Sequence, residues 1–260
     1  MLKQWYGEGC GNSFLVLLGG RGEMEKQIEY VRNSDQWTFD TALLLEPDSS
    51  GIVSMRVLEK DGSESNMCGN GARVVGRVLQ DQDLPLYIKV ENQYLSLKQT
   101  NLGISVSLGK VDRVEDHRIY RDSELPEIDL YKVCGEPHAV IKVGDIRYVP
   151  LVEWGLKITS RYNVNCTVVS QDTSGDISAR TFERGVNAIT LSCGTGAVSA
   201  VASLLKGNHI EGTPYKVSMP GGDLHVSFTN NNATLEGPAA IEENNLFEEN
   251  GYLELVENSI

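Results

Sequence analysis

The sequence predicts a mixed α/β fold, of the α+β kind, built from two halves of similar design. Short apolar runs that end at turn residues indicate buried strands, and apolar segments with helical spacing indicate helices. These two kinds of segment alternate along the 260-residue chain. A Cys-Gly-x-Gly pattern occurs twice, at Cys68 and Cys193, which lie 125 residues apart. Because each copy follows a predicted strand and precedes a predicted helix, the spacing indicates a duplication.

In the first half, three apolar runs predict strands. Residues 14–18 end at a Gly-Gly pair, residues 41–45 end at Glu-Pro, and residues 52–58 lead into the turn at 60–63. The first Cys-Gly-x-Gly follows, and residues 72–80 have the apolar spacing of a helix.

The second half repeats this plan. Residues 179–185 predict a strand that ends at a turn, the second Cys-Gly-x-Gly follows, and residues 197–205 form an apolar helix rich in small residues. The charged stretch 112–129 is typical of a linker. We therefore expect halves at 1–112 and 113–247.

The composition of the chain argues against two classes of protein, those that bind nucleic acid and those that span a membrane. The formal net charge of −13 argues against a nucleic-acid partner, because such proteins need a basic surface. No apolar stretch has the length of a membrane span, and the N-terminus lacks the apolar region of a signal peptide. We expect a cytoplasmic protein with no membrane partner, and a homodimer stays open as its assembly.

The five cysteines fall into two groups. In a reducing cytoplasm they are expected to be free thiols, and the absence of any C-x-x-C pair argues against a structural zinc site. Cys10, Cys134 and Cys166 have no special context, and we interpret them as inert apolar side chains. Cys68 and Cys193 each stand where a glycine-rich loop enters a helix.

The N-terminus of a helix is a suitable place for a reactive thiol that acts on a carbon atom next to a substrate carboxylate. Its unpaired N–H groups carry partial positive charge, which lowers the pKa of a thiol and also holds an anion. Two facing helix starts would place thiols on opposite sides of one substrate. One thiolate would remove the α-proton and the other thiol would return a proton to the opposite face, which inverts the stereocentre.

The motifs around both cysteines resemble those of the diaminopimelate epimerase family. The similar segments span nearly the whole chain in the family's order: residues 9–14 (GCGNSF), 61–73 around Cys68, 135–140 (GEPHAV), 183–185 (ERG), 190–196 around Cys193, 219–222 (MPGG) and 236–239 (EGPA). Ser13 stands where the family has aspartate.

The resemblance implies two pseudo-symmetric domains, each with antiparallel strands wrapped around a central helix, the first completed by residues 248–260. It also implies that the active site lies in the cleft between the two domains. It implies a cofactor-independent epimerase, with no metal, acting on an amino acid in lysine and peptidoglycan-precursor synthesis. Cys68 and Cys193 would be the acid–base pair, supported by His138 and Glu183 respectively. The implied substrate-binding residues are Asn12, Thr41, Glu59, Gly69, Asn70, Glu136, Asn165, Arg184, Gly194 and Thr195, with Asn163 as an alternative to Asn165.

Several departures from the family pattern bear on the substrate. Glu59 and Glu136 replace two asparagines that grip the far end of diaminopimelate, and Thr41 replaces a frequent glutamine. The loop between Glu183 and Cys193 is one residue longer. Two added carboxylates would repel the distal carboxylate of diaminopimelate and suit a cationic group. Alternatively they point elsewhere or pair with Arg184.

The sequence therefore favours LL-diaminopimelate epimerisation and leaves alternatives open. One is a racemase for another amino acid with a cationic side chain, such as lysine, ornithine, arginine or histidine. Others are a proline-type epimerase, an isomerase of another small acid and a non-catalytic amino-acid-binding protein. A thiol-redox protein is disfavoured without C-x-x-C. No lysine motif suggests pyridoxal phosphate, and no P-loop or dinucleotide turn occurs.

Overall fold

The computed structural model describes residues 2–33, 36–65, 67–91, 93–120, 122–206, 208 and 211–243, apart from the side chains of residues 117 and 118. The elements of the first half are β1 (Lys3–Gly9), β2 (Asn12–Leu18), α1 (Arg21–Asn33), β3 (Thr41–Pro47), β4 (Val53–Glu59), β5 (Glu64–Ser65), α2 (Gly69–Asp81), β6 (Tyr87–Val90), β7 (Gln93–Thr100) and β8 (Gly103–Arg113).

A short helix, α3 (His117–Tyr120), leads into the second half. Its elements are β9 (Asp129–Val133), β10 (Glu136–Lys142), a 3₁₀ turn (Ile146–Tyr148), α4 (Leu151–Tyr162), β11 (Asn165–Gln171), β12 (Ile177–Glu183), β13 (Ala188–Ile189), α5 (Gly194–Leu205), β14 (Tyr215–Met219), β15 (Gly222–Thr229), β16 (Asn232–Gly237) and β17 (Ala240–Glu243).

The strands form two rings that share the antiparallel pair β8–β16. In the first ring β1, β2, β3, β4, β6, β7 and β8 pair in that order, and β17 closes it by pairing with β1. In the second ring β9, β10, β11, β12, β14, β15 and β16 pair in order, and the end of β8 closes it by pairing with β9. The parallel and antiparallel pairings occur in the same sequence in both rings.

The two halves also share their hairpin chemistry. The β1–β2 turn is Cys10-Gly11, with φ of 51° and 82°, and the β9–β10 turn is Cys134-Gly135, with φ of 49° and 85°. Two consecutive residues with positive φ match the right-handed twist of flanking strands, which fixes the register of each hairpin. These turns thus set which side chains of β2 and β10 face the ring interior.

One helix fills each ring. Every residue of α2 from Gly69 to Leu79 except Arg77 is buried, and so is every residue of α5 from Gly194 to Ser203 except Ala202. A helix that is buried on all sides must lie in a core rather than on a surface. The other two long helices lie outside, where α1 packs on β2 and β3 and α4 packs on β11 and β12.

The mixed α/β fold is confirmed, and the strands and helices predicted around both cysteines lie where the sequence placed them, within a few residues. The predicted boundary assigned residues 240–243 to the second half, whereas β17 pairs with β1 of the first. Residues 248–260, expected to complete the first half, lie outside the described residues. None of the described helices combines the length and apolar character that a membrane crossing requires.

The contact between α4 and β12 provides a test of packing. A Cβ on Gly155 would lie 2.3–2.7 Å from three atoms of Phe182, whereas a Cβ on Gly22, also helical, would meet nothing within 4 Å. We expect Gly155→Ala to lower the free energy of unfolding by about 1–2 kcal/mol, because overpacking outweighs the better helix propensity of alanine. Gly22→Ala should raise it by up to about 1 kcal/mol. Urea denaturation of both variants checks the opposite signs; a stabilised Gly155→Ala would contradict the packing.

Candidate active site

The starts of α2 and α5 meet at the shared wall of the two rings. A Cβ on Gly69 would lie 3.5 Å from the Cα of Gly194, and a Cβ on Gly194 would lie 2.5 Å from a methyl carbon of Leu235 on β16. Glycine at the start of α5 therefore leaves room for Leu235 beside the two helix starts. The positive ends of both helix dipoles therefore point into the same space.

Cys68 and Cys193 are the N-cap residues of these helices. Both have extended backbones, with φ/ψ of −131°/106° and −135°/113°. The Sγ of Cys68 accepts a hydrogen bond from the Gly71 N–H at 3.3 Å, and the Sγ of Cys193 lies 3.6 Å from the Thr195 hydroxyl. The two thiols thus occupy equivalent positions in the two halves.

A cavity of about 680 Å³ opens over both thiols, a size typical of small-molecule sites. Every site residue expected from the sequence lines it except His138, which lies behind the wall. The lining members are Asn12, Thr41, Glu59, Cys68, Gly69, Asn70, Glu136, Asn165, Glu183, Arg184, Cys193, Gly194 and Thr195. Asn163 also lines the cavity, so both candidate asparagines reach it.

The sequence predicts lowered pKa values for both thiols, and the structure gives raised ones. Burial raises the pKa of Cys68 to about 12, and it raises the pKa of Cys193 well above the usual value. The amide of Gly71 lowers the pKa of Cys68 and that of Gly196 lowers the pKa of Cys193, but desolvation of the charged form outweighs both. Both thiols are therefore protonated at neutral pH, and a thiol in this state has to lose its proton before it can act as a base.

Glu183 stands beside the second thiol. It ends β12, accepts a hydrogen bond from the Thr190 hydroxyl at 2.6 Å and hydrogen-bonds with Cys193. Burial raises the pKa of Glu183, and the Glu136 and Glu59 carboxylates add to the rise. A carboxylate with raised proton affinity in contact with a thiol is a suitable acceptor for the thiol's proton.

His138 is fully buried and held from both sides. Its Nδ1 lies 3.0 Å from the Thr167 hydroxyl and its Nε2 lies 2.9 Å from the Thr195 hydroxyl. Burial, together with the charge of Arg184, lowers the pKa of His138 to about 3, so the ring is neutral. These contacts place His138 against the first turn of α5, and its direct support of Cys68 stays a prediction.

Polar side chains from both halves form a network at the base of the cavity. The Asn70 Nδ2 donates to Asn12 Oδ1 at 2.8 Å and to Ser192 Oγ at 2.6 Å, while Ser192 Oγ donates to the Cys10 carbonyl at 2.9 Å. The Oδ1 of Asn70 is buried and has no hydrogen-bond partner among the described residues. A buried acceptor is costly to leave unpaired, so this oxygen is a candidate contact for a ligand's N–H group.

Glu136 and Arg184 form an ion pair at the far side of the cavity. Their side chains are 2.9 Å apart and mostly buried, at 14% and 25% exposure. The backbone N–H of Arg184 also donates to Asn165 Oδ1 at 2.9 Å, which fixes that residue in the wall. The guanidinium is thus already engaged by a carboxylate of the same chain.

Glu59 ends β4 on the opposite side. Its carboxylate accepts hydrogen bonds from the Ser65 hydroxyl at 2.7 Å and from the Thr41 hydroxyl at 3.3 Å. Glu59 and Glu136 are the two glutamates that stand where the family pattern has asparagine. Glu136 is therefore paired with Arg184, whereas Glu59 is hydrogen-bonded by hydroxyl groups.

Comparison with known proteins identifies the family. Residues 130–241 match the family model described as diaminopimelate epimerase. The chain is 30% identical to the diaminopimelate epimerase of a Wolbachia strain (wRi), over 86% of this chain and 91% of that protein. It is 31% identical to that of Methanothrix thermoacetophila, over 89% and 90%, and 29% identical to that of Bacillus subtilis, over 89% and 93%. The chain belongs to the diaminopimelate epimerase family. Its relatives are isomerases, which confirms the predicted enzyme class.

This diaminopimelate epimerase family member also has the same fold as solved structures of proteins with other names. A putative phenazine biosynthesis PhzC/PhzF protein from Clostridium difficile has a TM-score of 0.68 at 11% identity, covering 95% of this chain and 99% of that one. A probable proline racemase from Agrobacterium radiobacter has a TM-score of 0.67 at 14% identity, covering 96% and 95%. Identities this low show a shared fold.

Sequence reasoning missed three hydroxyl residues of the family member's site. Ser65 and Thr190 hold Glu59 and Glu183, and Ser192 joins the network around Asn70. A signal existed for the first two, because each hydroxyl residue stands three positions before its cysteine. Aligning the two halves on Cys68 and Cys193 would have found them.

The low pKa of His138 predicts how stability depends on pH. Below its ordinary value of 6.5 the unfolded chain binds a proton that the folded chain refuses until about pH 3. The free energy of unfolding should therefore fall as pH is lowered from 6.5 towards 3. Between pH 7.5 and 4.5 we expect wild type to lose roughly 2–3 kcal/mol more than His138→Gln, measured by urea denaturation. Equal losses in both proteins would contradict a neutral buried imidazole.

Proposed function

We propose that the protein is a cofactor-independent amino-acid epimerase or racemase, with LL-diaminopimelate as the foremost substrate. The observation that carries the proposal is the placement of two thiols, Cys68 and Cys193, at the meeting starts of two buried helices. An amino-acid-binding protein without catalytic activity would need the helix starts but not a thiol at each. Family membership and relatives named diaminopimelate epimerase support the same conclusion.

The helix starts provide the binding for an α-amino acid. Backbone N–H groups at Gly69, Asn70, Gly194 and Thr195 would receive the α-carboxylate, since unpaired amides and two dipoles favour an anion there. The unpaired Oδ1 of Asn70 would accept a hydrogen bond from the α-ammonium group. This orientation would set the α-carbon between the two thiols.

Inversion then requires one proton transfer on each face. Glu183 would take the proton of Cys193, and the resulting thiolate would remove the α-proton, leaving the electron pair of the broken C–H bond on the substrate. The Cys68 thiol would donate its proton to the other face. Since burial raises the pKa of both thiols, each thiolate is a strong base, which favours attack on a weakly acidic C–H bond. The amides at both helix starts would stabilise the charge that develops on the carboxylate.

A second candidate substrate is an amino acid with a cationic side chain. The observation that favours it is the Glu136–Arg184 ion pair, which leaves the guanidinium engaged, while Glu59 and Glu183 add further carboxylates to the cavity. A distal carboxylate would have to compete with Glu136 for Arg184. Lysine or ornithine would instead bring a positive charge to an acidic wall.

The two thiols are tested by α-proton exchange and inversion. The reduced protein in D₂O is incubated with LL-diaminopimelate, lysine, ornithine, arginine, histidine or glutamate and followed by NMR and chiral chromatography. We expect inversion of LL-diaminopimelate, and a loss of at least about 10²–10⁴-fold in kcat in both Cys68→Ala and Cys193→Ala. Cys166→Ala, which removes a core thiol outside the cavity, is the matched control and should keep wild-type turnover. Undiminished inversion in either single variant would refute the two-thiol mechanism.

The choice between the two substrate types is tested at Glu136. Glu136→Gln frees Arg184, so kcat/KM for LL-diaminopimelate should rise by about tenfold relative to kcat/KM for lysine, because charge-assisted hydrogen bonds contribute about 1.5–3 kcal/mol. Steady-state kinetics of both proteins with both substrates gives the ratio. A wild type that inverts lysine or ornithine but not LL-diaminopimelate would instead establish the cationic substrate.

A further inference from the structure

Strand register makes Glu59 the counterpart of Glu183. Thr41 and Asn165 are the first residues of β3 and β11, and they pair with Phe14 and His138 at matching places in β2 and β10. Likewise Glu59 and Glu183 are the last residues of β4 and β12.

The two carboxylates are also held in the same way. The Ser65 hydroxyl donates to Glu59 at 2.7 Å, and the Thr190 hydroxyl donates to Glu183 at 2.6 Å. Each hydroxyl residue precedes the N-cap cysteine of its half by three positions. The unit of strand-end glutamate, hydroxyl residue and N-cap thiol therefore occurs once in each half.

Other acidic side chains of the first half that line the cavity are committed elsewhere. Asp40 accepts hydrogen bonds from the backbone N–H and the hydroxyl of Ser13, and Glu64 forms an ion pair with Arg56. The hydrogen bonds of His138 run to Thr167 and Thr195 in the second half. Among the described acidic side chains of the first half that line the cavity, this leaves Glu59, whose charge raises the pKa of Cys68, as that of Glu183 does more strongly.

We infer that Glu59 is the positioning carboxylate of Cys68, as Glu183 is of Cys193. The inference rests on the proposed function, in which each thiol alternates between acid and base. When Cys68 acts as the base, its S–H bond breaks and an O–H bond forms on Glu59. The thiolate then takes the α-proton, the electron pair of the C–H bond stays on the substrate, and the Cys193 thiol supplies the proton to the other face. In the reverse direction Glu183 and Cys193 take these parts.

This assignment differs from a role of Glu59 in gripping a substrate side chain. A side-chain contact acts mainly in binding, so its loss raises KM. A group that receives the proton of the thiol acts on the chemical step, so its loss lowers kcat. The two roles also differ without substrate, since a carboxylate near Cys68 raises the pKa of that thiol alone.

The first experiment measures the thiols of the reduced protein without substrate. Iodoacetamide alkylation is followed from pH 6 to 11, and mass spectrometry of peptides reports Cys68 and Cys193 separately. In Glu59→Gln we expect Cys68 to be alkylated faster than in wild type at each pH, because a larger fraction of it is thiolate, with the Cys193 rate unchanged. In Glu183→Gln both thiols should shift, because the Glu183 carboxylate acts on both. An unchanged Cys68 in Glu59→Gln would overturn the inference.

The second experiment measures turnover of the substrate that wild type inverts. We expect Glu59→Gln to lower kcat by about 10²-fold with KM within about threefold, and Glu59→Asp to recover part of the loss. Glu64→Gln is the matched control, because it removes a carboxylate of the same cavity wall that is paired with Arg56. A raised KM with unchanged kcat would overturn the inference in favour of substrate binding. If wild type inverted no amino acid, the proposed function would fail, and the alkylation profile would still decide the pairing of Glu59 with Cys68.

Discussion

The site depends on the close contact between the first residues of two buried helices. Gly69 and Gly194 lie side by side next to Leu235, and a side chain on Gly194 would push against a methyl carbon of Leu235. Because they meet, two sets of unpaired amides and two N-cap thiols share one cavity. The groups that we propose for anion binding and for proton transfer are thus positioned by the same contact.

That contact exists because each strand ring encloses its own helix and the rings share β8 and β16. The ends of equivalent strands then bring Glu59 and Glu183 to the cavity that both cysteines line. The equivalence is incomplete. His138 on β10 corresponds to Phe14 on β2, so the imidazole has no counterpart in the first half. The proposed chemistry on the two faces of the substrate would therefore use similar thiols and carboxylates in unequal surroundings.

Burial sets the proton affinities of the site. It raises the pKa of both thiols and of Glu183, and it lowers the pKa of His138. The sequence analysis expected thiols of lowered pKa, because a helix start favours the thiolate. That expectation was wrong, since the depth of each thiol in protein depends on how the two halves pack and not on the local motif. A protonated thiol with a carboxylate beside it suits the proposed mechanism, in which each thiol acts as acid and as base in turn.

The sequence by itself determined the alternation of strands and helices and the two cysteine motifs, which follow from apolar period, turn glycines and residue order. The family resemblance implied about half of the residues that line the cavity. Tertiary structure decided that Glu136 pairs with Arg184, that Ser65 and Thr190 hold the two strand-end glutamates, and that His138 lies against α5. It also decided that β17 joins the first ring. These contacts depend on which segments, distant in sequence, pack together around the cavity, and on how far that packing excludes water. A local sequence pattern contains information on neither.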